Sequence, residues 1–379
     1  MTLFGLHGPT WLAWSLVLLV GCGRVAYDPV GAQGTLDDAG TPDAPFASST
    51  WSFRKRITVA SALTSSTLTD FPLLVSVTDM DLATKARADG ADLAFFAEDE
   101  ITPLHFELQR WNGGALIAWV NIPTLSASSD TEIYLYYGNH NATSSASDGP
   151  RTWPTYKGVW HLDEEPGASQ IYDSSAQQMH GTVTNGDSGS PISTIGIVGN
   201  AVKLDGVDDY LDMGTNSPVQ DFVFTLSAWI NGEGANSRYV LDYSNNVVNP
   251  AKISLSLDNG LARIKVRDEL NVEVEVANGQ DLRGAWHHIA GTSDGSTARL
   301  YVDGSIIGMV SLAGMGTIAT SIVSIARHES IPECCWFGGE IDEVRYQPTG
   351  QSGAWIAAEF QNQSDPATYL QLGKEEILP

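Results

Sequence analysis

From Trp51 onward, short apolar runs alternate with polar clusters rich in Gly, Asp and Ser. The first six runs are RKRITV (54–59), FPLLVSVT (71–78), LAFFAE (93–98), LHFELQRW (104–111), ALIAWVNI (115–122) and TEIYLYYG (131–138). Apolar residues recur every second position in several of them, as at Ile133, Leu135 and Tyr137, which marks strands with one buried face. One short helix is predicted, around Met80 to Ala88. Strands at this spacing without intervening helices predict a sandwich. A polar stretch at 141–152 reads as a linker, and strand-like runs resume beyond it. The prediction is an all-β chain of two tandem β-sandwiches.

The N-terminal segment breaks this pattern. WLAWSLVLLVGC is apolar, too short for a membrane span, and reads as the core of an export signal. Residues 23–50 are small, polar and Pro/Gly-rich, with too few large apolar groups to offset the entropy of ordering, so they read as a flexible tether. Leu19-Val20-Gly21-Cys22 resembles the lipobox of bacterial lipoproteins. That resemblance implies removal of the signal in 1–22, acylation of Cys22 and attachment to the cell envelope through lipid alone. Gly23 after the cysteine implies the outer membrane.

Composition narrows the partners. The chain holds 20 Lys+Arg against 45 Asp+Glu, a formal charge of -25. Such a surface repels nucleic acid and anionic lipid, so no nucleic-acid partner is expected. Hydrophobic content of 42% with 11 Trp, 12 Tyr and 11 Phe supplies real cores. The cysteines are Cys22, Cys334 and Cys335. None has the spacing of a structural zinc site. Cys334 and Cys335 are adjacent, and read either as a vicinal disulfide or as two loop thiols.

Two family resemblances give the architecture its detail. WSFRKRITV, LTDFPLLVSVTD, ADGADLAFF and LIAWVNIPTLSASSDTEIYLYYGN resemble an uncharacterised β-sandwich domain of exported bacterial proteins, here 51–140. GVWHLDE, GNAVKLDGVDDYLDMG, FTLSAWI, AWHHIAGTSDGSTARLYVDG and FGGEIDEVRYQ resemble, in order and spacing, the laminin-G-like jellyroll related to concanavalin A, here 153–379 with its C-terminal tail. The first resemblance carries no catalytic residues.

The stretch KLDGVDDYLDMG crowds Asp205, Asp208, Asp209 and Asp212 around Gly206. It lacks the spacing of an EF-hand loop. One reading is a solvated turn between two strands. The other follows from the jellyroll resemblance, which implies a structural calcium held by the Gly206 carbonyl, Asp163 or Glu164, and Asp342. In that reading Asp208 and Asp209 add only local negative potential. Jellyroll glycoside hydrolases carry three alternating carboxylates on one strand. EIDEV offers Glu340 and Asp342 on one face but Val344 at the third position, so no catalytic set is assigned. His161, His287 and His288 read as packed or hydrogen-bonded residues, and Trp160, Trp229 and Trp286 as core. Trp336, in a loop, is the candidate sugar-stacking aromatic, with Tyr243, Asn245 and Asn246 as loop hydrogen-bonders.

The expected function is non-catalytic recognition of a polysaccharide or glycosylated surface, with calcium as a structural cofactor. The rival is a protein-binding adhesin or envelope scaffold. A less favoured third is a jellyroll hydrolase or lyase.

Overall fold

The computed structural model describes residues 50–184, 191–215, 219, 221–234, 239–244, 251–320, 322–328 and 335–379. The first sandwich pairs a three-stranded sheet, in the order Leu68–Thr78, Ala115–Leu125, Phe106–Asn112, with a five-stranded one. Ile133, Leu135 and Tyr137 enter its core beside Ile57, Leu73, Phe95 and Phe106. Tyr134 and Tyr136, which alternation would leave in water, are covered by Trp51 and Phe96 in a second small cluster. The expected helix runs Met80–Lys85. Asp79 caps it by accepting from the Asp81 and Leu82 amides at 2.9 and 3.0 Å, meeting two of the amide groups a helix start leaves unpaired.

The second unit is a concanavalin A-like jellyroll of two eight-stranded sheets. One sheet, called here the docked sheet, contains Asn200–Asp205, Gly338–Gln347, Val223–Gly232 and His287–Asp294 as neighbours. The other, the outer sheet, runs Glu273–Ala277, Leu261–Arg267, Lys252–Asp258, Tyr239–Ser244, Ile322–Ile325, Tyr210–Asp212 and on to Gly181–Thr184 and Gln170–Ile171. Their facing side chains, among them Leu204, Leu226, Ile230, Tyr243, Ile253, Leu255, Ile264 and Val323, form the larger core.

The tail does not stay with the jellyroll, to which the sequence reading assigned it. Helix Gly353–Ser364 sends Trp355, Ile356 and Ala358 into the core of the first sandwich, where Trp355 meets Phe71 with ring centroids 5.2 Å apart. The following strand, Gln371–Ile377, pairs antiparallel with Phe53–Val59 and closes the edge of the five-stranded sheet. The jellyroll is therefore inserted within the first sandwich, between its strand Thr131–Tyr137 and this returning strand. The physical cause is edge protection: Phe53–Val59 would otherwise present an unpaired row of amides and carbonyls. The same helix also grips the docked sheet. Glu359 accepts from Ser227 Oγ at 3.2 Å and from Arg345 at 2.9 Å, and Gln363 accepts from Trp229 Nε1 at 2.6 Å. Thus the outer face of the docked sheet is covered, and Trp229 packs toward the helix rather than into the jellyroll core.

Candidate functional site

The acidic stretch is not a hairpin tip. Asn200–Asp205 belongs to the docked sheet, with Leu204 opposite Gly339, while Tyr210–Asp212 belongs to the outer sheet, with Leu211 opposite Ile325. The turn therefore crosses the rim of the jellyroll from one sheet to the other. Gly206 sits at φ +74°, a conformation side chains disfavour. Asp205 Oδ1 accepts from the Val207 and Asp208 amides at 2.8 and 3.3 Å, and Asp209 Oδ2 accepts from the Asp205 amide at 3.2 Å. One oxygen each of Asp205, Asp208 and Asp209 lies within 4.8 Å of the others. Asp209 is only 2% exposed, and its Oδ1 has no hydrogen-bond partner among the described residues. Burial first, then the neighbouring Asp205 and Asp208, push its carboxyl up to about 6. Three carboxylate oxygens this close together could hold a metal ion.

This arrangement differs from the expected ligand set. Asp342 is fully buried, and its Oδ2 holds the Ile197 and Val198 amides at 2.8 and 2.9 Å. Burial and the adjacent Glu343 raise its carboxyl well above the usual range. Asp163 holds the Asn200 amide at 2.9 Å and Gln109 at 3.2 Å, and ion-pairs with Arg110 of the first sandwich. Glu164 accepts from the Tyr172 amide at 3.0 Å. Asp163 and Asp342 thus brace the 196–200 loop, and the three-carboxylate group that forms is the one the sequence reading set aside.

At the junction of the two units lies a second charged cluster. His161 Nδ1 sits 2.9 Å from Glu343 and Nε2 3.3 Å from Glu107 of the first sandwich. Arg345 reaches Glu343 at 2.7 Å and lies over the Trp119 and Trp153 rings at 4.3 and 4.9 Å. Burial would discharge the imidazole, but Glu343 and Glu107 outweigh it and hold its pKa at about 10. The sequence reading's packed, hydrogen-bonded His161 is placed here, with Trp153 Nε1 and Ser174 Oγ donating to Glu107, both at 2.6 Å.

The outer face of the outer sheet carries a third arrangement. Register places Asp212, Ser324, Asp242, Ser254, Lys265 and Glu275 directly opposite one another across six strands. A parallel row holds Ser244, Lys252, Arg267 and Glu273. Side chains directly opposite in an antiparallel pair share a face about 5 Å apart. Asp242, Ser244, Ser254 and Ser324 are fully buried and Lys252 is 2% exposed. The hydroxyls of Ser244 and Ser254 have no hydrogen-bond partner among the described residues. Lys252 Nζ lies 3.3 Å from the Tyr239 hydroxyl and 3.9 Å from Glu273, and burial lowers its pKa to about 8. His328, T-stacked on Tyr239 at 4.6 Å, is held neutral, at about 4, by burial and by Lys252, Arg267 and Lys265.

Of the other expected contacts, Tyr243 is corrected: it lies on a strand rather than a loop, fully buried against Tyr346 in the jellyroll core. Trp336 is half-buried rather than exposed, and its neighbour Cys335 carries the carbonyl that accepts from the Tyr239 amide at 3.2 Å, beside the polar face. Cys335 is disulfide-bonded. Cys22, Cys334, Asn245 and Asn246 lie outside the described residues.

Comparison with known proteins agrees with this architecture. Residues 205–357 match the Laminin_G_3 family, described as concanavalin A-like lectin/glucanases superfamily, and residues 89–170 match a domain of unknown function, DUF2341. No curated protein matches the chain. Similar solved structures include the binding domain of botulinum neurotoxin serotype G, at 14% identity and TM-score 0.43, covering 55% of this chain and 51% of that one. The binding domain of Paraclostridial Mosquitocidal Protein 1 is 16% identical, with TM-score 0.43 and coverage of 54% and 52%. The serotype D ligand binding domain in complex with N-acetylneuraminic acid is 14% identical, with TM-score 0.43 and coverage of 55% and 51%. The chain thus spans about half the length of each.

Proposed function

We propose that this chain is a lipid-anchored protein of the cell envelope whose jellyroll is a non-catalytic recognition module for polysaccharide or a glycosylated surface. The observation that carries the reading is the outer sheet, whose outer face sets the partly exposed Arg263, Lys265, Glu273 and Glu275 side chains beside one another. Such donors and acceptors can hydrogen-bond the hydroxyl groups of a polysaccharide. Its placement supports the same reading: the docked sheet is covered by the first sandwich and its helix, which leaves the outer sheet as the face turned away from them.

A structural calcium at Asp205, Asp208 and Asp209 belongs to this proposal, since it would tie the two sheets together at the rim. Catalysis is not part of it. Asp342, which would have to join Glu340 in a hydrolytic pair, is fully buried and occupied with two backbone amides. A glycan array probed with the mature protein, with calcium and with chelator, tests the reading. Reproducible binding supports it, and a blank in both conditions ends it. One observation favours the adhesin alternative: edge strand Ser305–Ser311 exposes Ile306, Ile307 and Met309, apolar groups suited to a protein partner.

A further inference from the structure

We infer that edge strand Ser305–Ser311 pairs antiparallel with the same strand of a second copy of this chain, joining two docked sheets about a twofold axis near Gly308. The inference is independent of what the outer sheet binds. The strand closes one side of the docked sheet, and among the described residues the amides and carbonyls on its outer side have no backbone partner. Open edges are templates for further pairing, and charge, proline, shortness or a bulge normally guards them. Among the described edges, Leu68–Thr78 has Asp70 and Pro72, Phe106–Asn112 has Glu107 and Arg110, and Glu273–Ala277 has Glu273 and Glu275. Gln371–Ile377 has Lys374, Glu375 and Glu376, while Pro103–Leu104, Gln170–Ile171 and Ile192–Ile195 are four residues or shorter. Ser305–Ser311 runs seven residues, SIIGMVS, with no charge and no proline. Its one guard is a bulge, which leaves Ile307 without an opposite residue on Thr297–Val302.

The side chains are sorted in the same sense. Gly308 lies against Val276 and Val310 packs on the jellyroll core, so the inward positions are filled. Ile306, Ile307 and Met309 remain 49%, 43% and 63% exposed. Charge then selects the occupant. Two chains at -25 repel one another except where local charge cancels. Residues 304–326 contain no Asp, Glu, Lys or Arg. The acids around the strand are matched, Asp294 by Arg299 at 2.9 Å, Asp303 by His287 at 2.8 Å and Glu275 by Arg263 at 2.6 Å. A basic partner gains nothing from such a compensated edge, whereas a second acidic copy can approach it. The strand also has the self-complementarity that a twofold contact requires. Its pattern of apolar residues bounded by serine reads the same in either direction about Gly308. An axis there sets Ile307 of each copy opposite Met309 of the other, with glycine meeting glycine between them. Apolar pairs of this kind stabilise antiparallel strands. Because the axis stands perpendicular to the sheet, the outer sheets of both copies face the same way and can engage one surface together.

Sedimentation velocity on the full chain from about 1 to 200 µM, at low and high salt, tests the pairing. Hydrogen exchange is read on Ser305–Ser311 at the same concentrations. The expected result is an equilibrium between monomer and dimer that salt strengthens by screening the acidic chains, with protection of the strand rising with concentration. Ile307→Lys and Met309→Lys each set like charges beside the axis and should raise the dissociation constant at least about tenfold. Thermal melts check that these exposed substitutions leave the fold intact, and Ile192→Lys, on the opposite edge of the same sheet, should leave association unchanged. A chain that stays monomeric throughout overturns the inference. Association that both variants of the strand retain also overturns it, since the contact would then lie elsewhere. A monomeric chain whose strand gains protection against phosphatidylcholine vesicles overturns it in favour of a lipid surface.

Discussion

Replacing His161 with alanine removes the link on which the junction of the two units turns. The imidazolium touches Glu343 on the jellyroll strand and Glu107 on the first sandwich, and stacks on Trp119 with centroids 5.8 Å apart. The group is largely shielded from water, with the Glu343, His161 and Glu107 side chains 0%, 9% and 17% exposed. Removing one member of a buried ion pair leaves the other uncompensated and costs about 3–5 kcal/mol. Glu343 keeps Arg345 and Glu107 keeps two donors, so the lower part of that range applies, about 3 kcal/mol. For a chain of this size that lowers the melting temperature by about 4 °C. Scanning calorimetry with a double-mutant cycle against Glu107→Gln isolates the contact across the junction. The pH dependence gives an independent check. A basic group whose folded pKa is raised stabilises fully below its unfolded value near 6.5 and loses that contribution as pH rises through about 10. Wild-type stability should therefore decline from neutral pH toward pH 10 more steeply than that of His161→Ala. A loss under about 1 kcal/mol, or parallel pH profiles, would refute the junction's role.

Two further outcomes follow from the turn and the tail. Millimolar calcium should raise the melting temperature by a few degrees, equivalent to roughly 1–2 kcal/mol at extracellular affinity, and Asp209→Asn should abolish the rise. Because Asp209 titrates near 6 in the folded chain, acidification from pH 7 to 5 should stabilise the calcium-free protein through this group and shrink the calcium increment. An increment independent of both pH and Asp209 would remove the site. Deleting residues 371–379 should strip protection from strand Phe53–Val59, over 300 residues away in sequence, when hydrogen exchange is followed. Unchanged protection there would contradict the insertion topology.

Much of the fold was legible because strand periodicity is local. The six runs of the first sandwich, the helix at Met80 and the jellyroll motifs all appear where the pattern puts them. What escaped depends on contacts between distant segments. The tail's strand-forming residues look alike whichever sheet they join, and only the open edge of Phe53–Val59 decides. The turn at Gly206 reads as a hairpin because periodicity reports which face a residue takes, not which sheet its strand enters. Tyr243 was misplaced for a related reason: in LDYS the alternation is correct, but Asp242 rather than Tyr243 faces away from the core. A signal for the polar face was present in the alternate positions of KISLS and ARIKVR, where Lys252 and Ser254 share one parity and Arg263, Lys265 and Arg267 share the other, each set on one side of its strand. The burial of its centre could not be read there.

Two polar interiors in one molecule invite opposite conclusions, and the difference lies in satisfaction. At the junction, Glu107, His161, Glu343, Arg345 and Glu359 spend their charges on one another and on tryptophan faces, which is the state expected of a cluster that fixes geometry. On the outer sheet the charged groups are balanced, but the hydroxyls between them are not, and Lys252 has its nearest carboxylate at 3.9 Å. An unmet hydroxyl costs free energy in the folded state that a purely structural face would have lost to alanine or valine without penalty. If the face were structural, Ser254→Ala should therefore stabilise the protein or leave it unchanged and should not alter binding. A variant that melts no lower than wild type but binds glycan about tenfold more weakly would separate recognition from folding at one residue.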